Sequence, residues 1–299
     1  MNGRHKQKNM EKNSQDQFRK MTETPISGLI LSLAAPSIAS MMVTNLYNTA
    51  DTWFVSRAGT SASGAVSVVF SLMAIYQAFG FMFGHGAGSN ISRKLGEKRE
   101  DLVKTYASTS LFLSLACGAA VSVLGLLFMN PLLRLLGSTE TILPYARQYV
   151  FWVLLAGPLL SGSCVLNNIL RYEGQAFYAM IGLMTGGILN MIGDPILMFG
   201  CKLGVSGAGI STAVSQLISF GILLGMFRGD KTISTFHPGY FARDTRVVKE
   251  IVSAGFPSLI RQGLGSFTSI LLNHQAALYG DAAIAAMGIV GKVSFFISA

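Results

Sequence analysis

The pattern of apolar and polar residues divides the chain into long apolar runs separated by short polar segments. Seven runs have about the 20 apolar residues that a helix needs to span the hydrocarbon core of a bilayer, and an eighth begins near the end. Backbone exposed to lipid must be hydrogen-bonded internally, which favours helices and excludes open strands. The pattern therefore predicts an all-α integral membrane protein. The predicted spans are 26–58, 64–89, 106–128, 147–169, 176–199, 207–227, 250–272 and 282 onward.

Composition agrees with this class and excludes a soluble domain. Hydrophobic residues make up 51% of the 299 residues and charged residues only 12%, with a mean hydropathy of +0.48. Soluble domains carry roughly a quarter charged residues. The net charge of +9 predicts orientation rather than a nucleic-acid partner, because seventeen of the 23 Lys and Arg fall in the N-terminal tail and in alternate loops. By the positive-inside rule, the N-terminus is expected in the cytosol and the protein in the plasma (inner) membrane, crossing it several times.

An internal repeat divides the predicted spans into two groups. A shift of 221 positions aligns Pro36 with Pro257, and Gly59 with Gly280, without a gap. Six spans separate the paired segments, so both run in the same direction, as in transporters built from two parallel six-helix halves. We expect a disordered cytosolic tail (1–24), a first six-helix lobe (25–227), a basic cytosolic linker (228–248) and the start of a second lobe (249–299). Because the sequence stops inside an apolar run, we also expect it to be truncated.

Two acidic residues lie inside predicted spans, where an ionisable group costs a few kcal/mol and usually has a function. Asp51 continues a polar stripe with Thr44 and Asn48 on one face of the first helix. Asn190 and Asp194 are four residues apart and therefore share one face of the fifth helix. Pro195 follows, and a proline within a helix frees a backbone carbonyl that can serve as a ligand.

The depths of these residues predict that they form one layer. Counting from the ends of their helices, Asp51, Asp194 and Thr212 lie roughly 12, 9 and 8 Å below the outer surface. Two carboxylates, an amide and a hydroxyl could bind a small hard cation such as Na⁺ or share protons. The competing interpretation is that Asp51 caps a helix or pairs near the outer surface and that Asp194 simply precedes a proline at a helix end.

Other residues with possible chemistry give weaker predictions. A substrate cavity is expected to involve Thr44, Asn48, Arg261 and Gln262. Arg261 and Gln262 face the expected interior of the second half, where structural hydrogen bonding is an equally open interpretation. Cys117, Cys164 and Cys201 show no CxxC spacing, so neither a disulfide framework nor a zinc site is predicted. We expect no cofactor apart from a coupling ion.

Several segments resemble the multidrug and toxic compound extrusion (MATE) transporters, in order and at the right spacing over nearly the whole chain after the tail. The resemblance implies two six-helix lobes that export organic, often cationic or amphipathic, compounds in exchange for Na⁺ or H⁺, without enzymatic activity. Carried over, the first-lobe cation site is Asp51, Asn190, Asp194 and Thr212, and Pro36 is the bending point of the first helix. We expect a small organic substrate, contact with the lipid bilayer and no obligate protein partner. The segments are 35–37, 48–55, 170–174, 190–195, 203–213, 255–262 and 279–286.

Four alternatives can be stated, and the sequence argues against three of them. A lipid-linked glycan flippase of similar architecture is expected to carry several cationic cavity residues for pyrophosphate, and the first six spans have almost none. A major-facilitator transporter fits the parallel repeat but not the motifs. A membrane-embedded transferase would need an acidic or His cluster near a metal or phosphate, which the sequence lacks. The last alternative is a non-transporting fragment.

Overall fold

The computed structural model describes residues 25–228, 232–242 and 244–298, and within them the chain is helical. The predicted tail at 1–24 lies outside these residues. Each predicted span corresponds to one long helix, and a short helix, Met129–Leu135, lies between the third and fourth. The long helices are α1 (Ile26–Ser56), α2 (Thr60–Gly96), α3 (Glu100–Leu127), α4 (Leu143–Tyr172), α5 (Ala176–Pro195), α6 (Gly204–Met226), α7 (Thr245–Ala277) and α8 (Asp281–Ser298).

Six of these helices, α1 to α6, are long and apolar enough to cross a membrane, counting only the described part of the chain. The seventh, α7, is 33 residues long but more polar. The eighth, α8, is 18 residues long, from Asp281 to Ser298. The chain is therefore an all-α membrane protein, and its described part holds one unit of six long helices followed by two further long helices. The division into domains at 228–248 stays a prediction.

Helices α2 and α4 are the centre of the bundle and bury most of their apolar residues. α2 packs along α4 on one side and along α7 on the other, whereas α1 packs mainly against α5. Helices α2 and α7 approach each other closely where Gly86 faces Gly255. A Cβ atom added to Gly86 would overlap the carbonyl oxygen of Ile251, and one added to Gly255 would overlap that of Met82. Small residues at such crossings let helix backbones approach closely within a membrane.

The interior consists of two hydrophobic clusters, one toward each end of the helices. One is built around Tyr76 and Tyr149, the other around Phe83 and Ile169. Between helices, buried hydroxyls pair with one another: Ser114 and Ser161 are 2.6 Å apart, and the Tyr76 hydroxyl is 2.8 Å from Ser122 Oγ. Such pairs satisfy polar groups that would otherwise be costly in an apolar environment.

The two ends of the bundle differ in charge. One end carries residues 97–99, 173–175, 228, 232–242 and 244 together with most of the described loop Lys and Arg, and is called the basic face below. The other end carries residues 57–59, 128–142, 201–203 and 278–280, and is called the opposite face.

The linker between α6 and α7 docks onto the basic face through one buried acid. Glu173, just past the end of α4, is 2% exposed. Its carboxylate accepts hydrogen bonds from the backbone N–H groups of Ser234 (2.9 Å) and Ile233 (3.2 Å). Burial raises the pKa of the Glu173 carboxyl, and the hydrogen bonds from Ser234 and Ile233 offset part of that effect. The Thr109 hydroxyl holds the same linker by accepting a 2.9 Å hydrogen bond from the Ala242 N–H.

Candidate functional site

Three helices bring four of the predicted site residues together. Asp51 lies near the end of α1, Asn190 and Asp194 lie on α5, and Thr212 lies on α6. All four side chains are buried, with exposures from 0% for Asp194 to 7% for Thr212. The layer predicted from helix depth is therefore present as a set of neighbouring side chains.

The side-chain amide of Asn190 is hydrogen-bonded to three neighbouring side chains of the site. Its Nδ2 donates toward Asp194 Oδ1 (3.2 Å), Thr212 Oγ1 (3.2 Å) and Ser211 Oγ (3.4 Å). The Ser211 hydroxyl in turn donates to the backbone carbonyl oxygen of Asn190 at 3.1 Å. One amide thus fixes the orientation of α5 relative to α6.

Tyr149 on α4 completes the site, although no pattern in the sequence marks it as a site residue. Its hydroxyl donates to Asp51 Oδ2 at 3.3 Å and lies 3.4 Å from Thr212 Oγ1. The ring is almost fully buried, with 1% exposed. Tyr149 therefore connects the acid of α1 to the hydroxyl of α6.

The backbone next to Asp194 is irregular. Pro195 ends α5, and the next residues, Ile196–Gly200, form a π-helical turn closed by a 2.9 Å hydrogen bond from the Cys201 N–H to the Ile196 carbonyl. Proline has no N–H, so it cannot bond to the carbonyl of Met191 four residues earlier. Wide turns of this kind often occur at functional sites.

A small cavity of about 30 Å³ adjoins the site and is lined by Asp51, Asn190, Thr212 and Tyr149. One water needs about 10–15 Å³ of such space, so the cavity has room for a small ion or a few waters but not for a drug-sized molecule. Further lining residues are Asn48, Val66, Phe70, Met73, Leu183, Gly186, Gly187, Ser215, Gln216 and Ser219.

Two carboxyl groups dominate the electrostatics of the site. The charges of Asp51 and Asp194 act on each other. Asp194 belongs to no ion pair with Lys or Arg in the part of the chain that the structure describes. Its Oδ2 is buried and has no hydrogen-bond partner among the described residues. Two adjacent buried carboxylates repel each other, so a bound cation or a shared proton stabilises the pair.

The donor set fits a hard cation such as Na⁺. Carboxylate, hydroxyl and phenolic oxygens are the ligands that such ions prefer. Within residues 25–228, 232–242 and 244–298, no three His, Cys, Asp or Glu side chains form a group that could hold a metal. A Na⁺ ion at this site would therefore depend on two carboxyl groups together with hydroxyl and phenolic oxygens.

The other predicted residues lie around or away from this site. Asn48 lines the cavity, whereas Thr44 does not, and its hydroxyl donates to the Ser40 carbonyl of its own helix at 2.8 Å. Pro36 lies inside α1, which continues through it. Arg261 and Gln262 are on α7 and do not line the cavity.

The chain is similar in sequence to a known protein family. The MatE family model matches residues 36–196, more than half of the chain. The chain belongs to the MatE family. The predicted resemblance to MATE transporters is confirmed, and the members of this family are transporters rather than enzymes.

A curated relative of this MatE chain is the multidrug export protein MepA of Staphylococcus aureus (strain MRSA252). It is 28% identical over 275 residues, which cover 92% of this chain and 61% of the relative. MepA of Staphylococcus haemolyticus (strain JCSC1435) is 29% identical over 270 residues, covering 89% of this chain and 59% of the relative. The chain thus spans about 60% of the length of these relatives.

Among solved structures, the MATE multidrug transporter DinF-BH in complex with rhodamine 6G aligns with a TM-score of 0.86 and 30% identity. The alignment covers 91% of this chain and 62% of that protein. The chain therefore has the MATE fold over nearly its whole length.

Proposed function

We propose that this chain carries the ion-coupling site of an exporter of organic amphiphiles that is driven by Na⁺ or H⁺. The observation that carries the proposal is the buried cluster of Asp51, Asp194, Asn190, Thr212 and Tyr149 beside an ion-sized cavity. The export functions of the MepA relatives and the rhodamine 6G complex of DinF-BH support the choice of organic amphiphiles, including cationic ones, as substrates.

The proposed orientation places the basic face and the N-terminus in the cytosol of a plasma-membrane protein, as the positive-inside rule predicts. The buried cluster of Asp51, Asp194, Asn190, Thr212 and Tyr149, called the acid cluster below, then lies in the outer half of the bilayer. An external cation reaches it there first.

In the proposed mechanism, the ion binds the acid cluster in the outward-open state and bends α1 at Pro36, which expels substrate from the first lobe. The ion shifts the conformational equilibrium only by its differential affinity for the two states. When the substrate carries no net charge, one cation that crosses 100 mV supplies about 2.3 kcal/mol, which supports a substrate gradient of roughly fifty-fold.

The test is efflux of ethidium and of rhodamine 6G from vesicles that carry the protein, with a Na⁺ or a pH gradient imposed separately. We expect efflux under one of the two gradients and its loss in Asp51→Asn and in Asp194→Asn. Asp101→Asn is the matched control, because Asp101 is an exposed acid at the start of α3.

The outcomes are distinct. Efflux that needs both site acids and follows one gradient supports the proposal and names the coupling ion. Efflux that persists in Asp51→Asn refutes the assignment of the site. Absence of efflux under both gradients, with the protein present in the membrane, contradicts the exporter function.

A further inference from the structure

A cluster of basic side chains lies in the half of the bundle toward the basic face, well away from the acid cluster. His85 on α2, Arg171 near the end of α4 and Arg261 on α7 come from three different helices. The charges of Arg171 and Arg261 both act on the His85 ring. His85 is also anchored to α7, because its Nδ1 lies 2.7 Å from Ser258 Oγ. The cluster therefore lies where α7 meets the first six helices.

Arg171 has unused hydrogen-bonding capacity. A guanidinium has five N–H groups in a fixed planar array. Nη2 of Arg171 donates to Ser40 Oγ on α1 at 3.0 Å, but Nε is buried and has no partner among the described residues. Burial of a charged group without a counter-charge is costly. The arrangement would be stabilised by an acceptor that carries negative charge.

The described part of the chain does not supply that acceptor. The ion pairs within it join Lys94 to Glu97 and Arg134 to Glu140, and neither includes Arg171 or Arg261. The carboxylate closest in sequence, Glu173, is hydrogen-bonded to the linker amides instead. An anion would therefore have to come from outside this part of the chain.

The surroundings of the cluster suit an amphiphile better than a bare ion. The ring centroids of Phe81 and Tyr172 lie 5.3 and 6.2 Å from that of His85. Arg261 is exposed, whereas Arg171 and His85 are half-buried. Aromatic rings beside a basic group can hold an apolar body while the guanidiniums hold its charged end.

We propose that Arg171, Arg261 and His85 form an oxyanion subsite that binds the carboxylate or phosphate of an amphiphilic substrate on the basic-face side of the bundle. The proposal rests on the exporter function above and extends its substrates to zwitterionic and anionic amphiphiles. Planar guanidiniums bind such groups in a bidentate manner and discriminate strongly against esters, which carry no charge.

The test compares two dyes that differ only at a carboxyl group. Rhodamine 6G carries an ethyl ester, and rhodamine 19 is the corresponding free acid. Binding of each dye is measured by fluorescence anisotropy to the purified protein in phosphatidylcholine nanodiscs at fixed ionic strength. We expect the wild type to bind the free acid about tenfold more tightly than the ester, as the strength of charge-assisted hydrogen bonds implies.

Variants of the cluster should remove that preference. In Arg171→Gln and Arg261→Gln, the free acid should bind about tenfold more weakly while the affinity for the ester is kept. Arg171→Lys keeps the charge and should retain part of the preference. Arg134→Gln is the control, because Arg134 is an exposed arginine on the opposite face. Thermal unfolding of each variant identifies any that fail to fold.

Equal affinities of the wild type for acid and ester would overturn the proposal, and so would unchanged affinities in both Gln variants. The same titration with part of the lipid replaced by phosphatidylglycerol separates the two sources of oxyanion. Competition by phosphatidylglycerol that depends on Arg171, with no preference for the free acid, would overturn the substrate assignment in favour of a lipid headgroup. This assay needs no ion gradient, so its failure is distinguishable from failure of the exporter function.

Discussion

The carboxylate of Asp281, the first residue of α8, accepts a 2.6 Å hydrogen bond from the hydroxyl of Ser61 on α2. The hydroxyls of Thr139 and Thr141, in the segment that precedes α4, donate to the same carboxylate, each at 2.7 Å. One acid thus ties the start of α8 to two separate parts of the six-helix unit on the opposite face.

We expect Asp281→Ala to favour a state in which the opposite face is open. Hydrogen bonds to a charged group contribute about 1.5–3 kcal/mol each, so loss of these three should raise the population of the open state at least about tenfold. The measurement is the electron-paramagnetic-resonance distance between spin labels at exposed Cys201 and at Tyr279→Cys, with Cys117 and Cys164 replaced by Ala.

The control for this experiment is Glu140→Ala. Glu140 is an exposed acid of the same connection, and its ion pair with Arg134 lies at the surface. An unchanged distance distribution in Asp281→Ala would show that the three hydrogen bonds do not hold the face closed.

Tyr149→Phe separates the role of the hydroxyl in ion coupling from its role in stability. We expect ion-driven efflux to fall about tenfold, because the hydroxyl connects Asp51 to Thr212. The matched control is Tyr76→Phe, since Tyr76 is equally buried and its hydroxyl contacts Ser122 instead. Both variants should lose about 1 kcal/mol of stability. Equal efflux from the two variants would exclude Tyr149 from the coupling site.

Gly255→Ala tests the close approach of α2 and α7. The added methyl would overlap the Met82 carbonyl, so the helices must separate, and we expect a loss of about 1–3 kcal/mol in the free energy of unfolding. Gly263→Ala, on the same helix, has open space around its Cβ position and should instead stabilise the helix by about 0.5–1 kcal/mol. Thermal unfolding of the purified variants measures both. A common shift in one direction would contradict the packing argument.

The docking of the linker should depend on pH through Glu173. Burial raises the pKa of this carboxyl, so the docked state favours the protonated form. The resulting stabilisation is complete below the pKa of the undocked carboxyl and is lost as pH rises through the raised value. Hydrogen–deuterium exchange of residues 232–236, corrected for the intrinsic rate, should therefore show less protection as pH rises.

In Glu173→Gln the pH dependence of linker protection should disappear. The amide of Gln can accept from only one of the two N–H groups that Glu173 binds, so protection should also be weaker at low pH than in the wild type. Protection that keeps the wild-type pH profile in this variant would assign the titration to another group.

The sequence predicted the long helices well because the thickness of a bilayer fixes the length of an apolar run. It predicted their ends less well: α2 runs from Thr60 to Gly96, whereas the apolar run covers 64–89. A helix keeps its internal hydrogen bonds after it leaves the hydrocarbon. The apolar run therefore shows where the helix lies inside the bilayer and not where the helix ends. The short helix at Met129–Leu135 has only seven residues and leaves no periodic signal.

The sequence also predicted which residues are neighbours in the acid cluster, because helix geometry fixes both the face and the depth of a residue. Asn190 and Asp194 share a helix face, and depth alone placed Asp51 and Thr212 at the same level. Tyr149 was not predictable in this way, because a single tyrosine inside the apolar run of α4 forms no polar pattern with helical spacing. The direction of its hydroxyl depends on the rotation of α4 about its own axis, which packing against α2 and α6 sets.

The contact between Gly86 and Gly255 makes α7 a lever with unequal arms. From Gly255 to the start of α7 at Thr245 is roughly 15 Å, and to its end at Ala277 roughly 33 Å, at 1.5 Å per residue. If the helices tilt about this crossing, the end at the opposite face travels about twice as far as the end at the basic face. A small adjustment beside the basic face is thereby amplified into a wide displacement near Asp281.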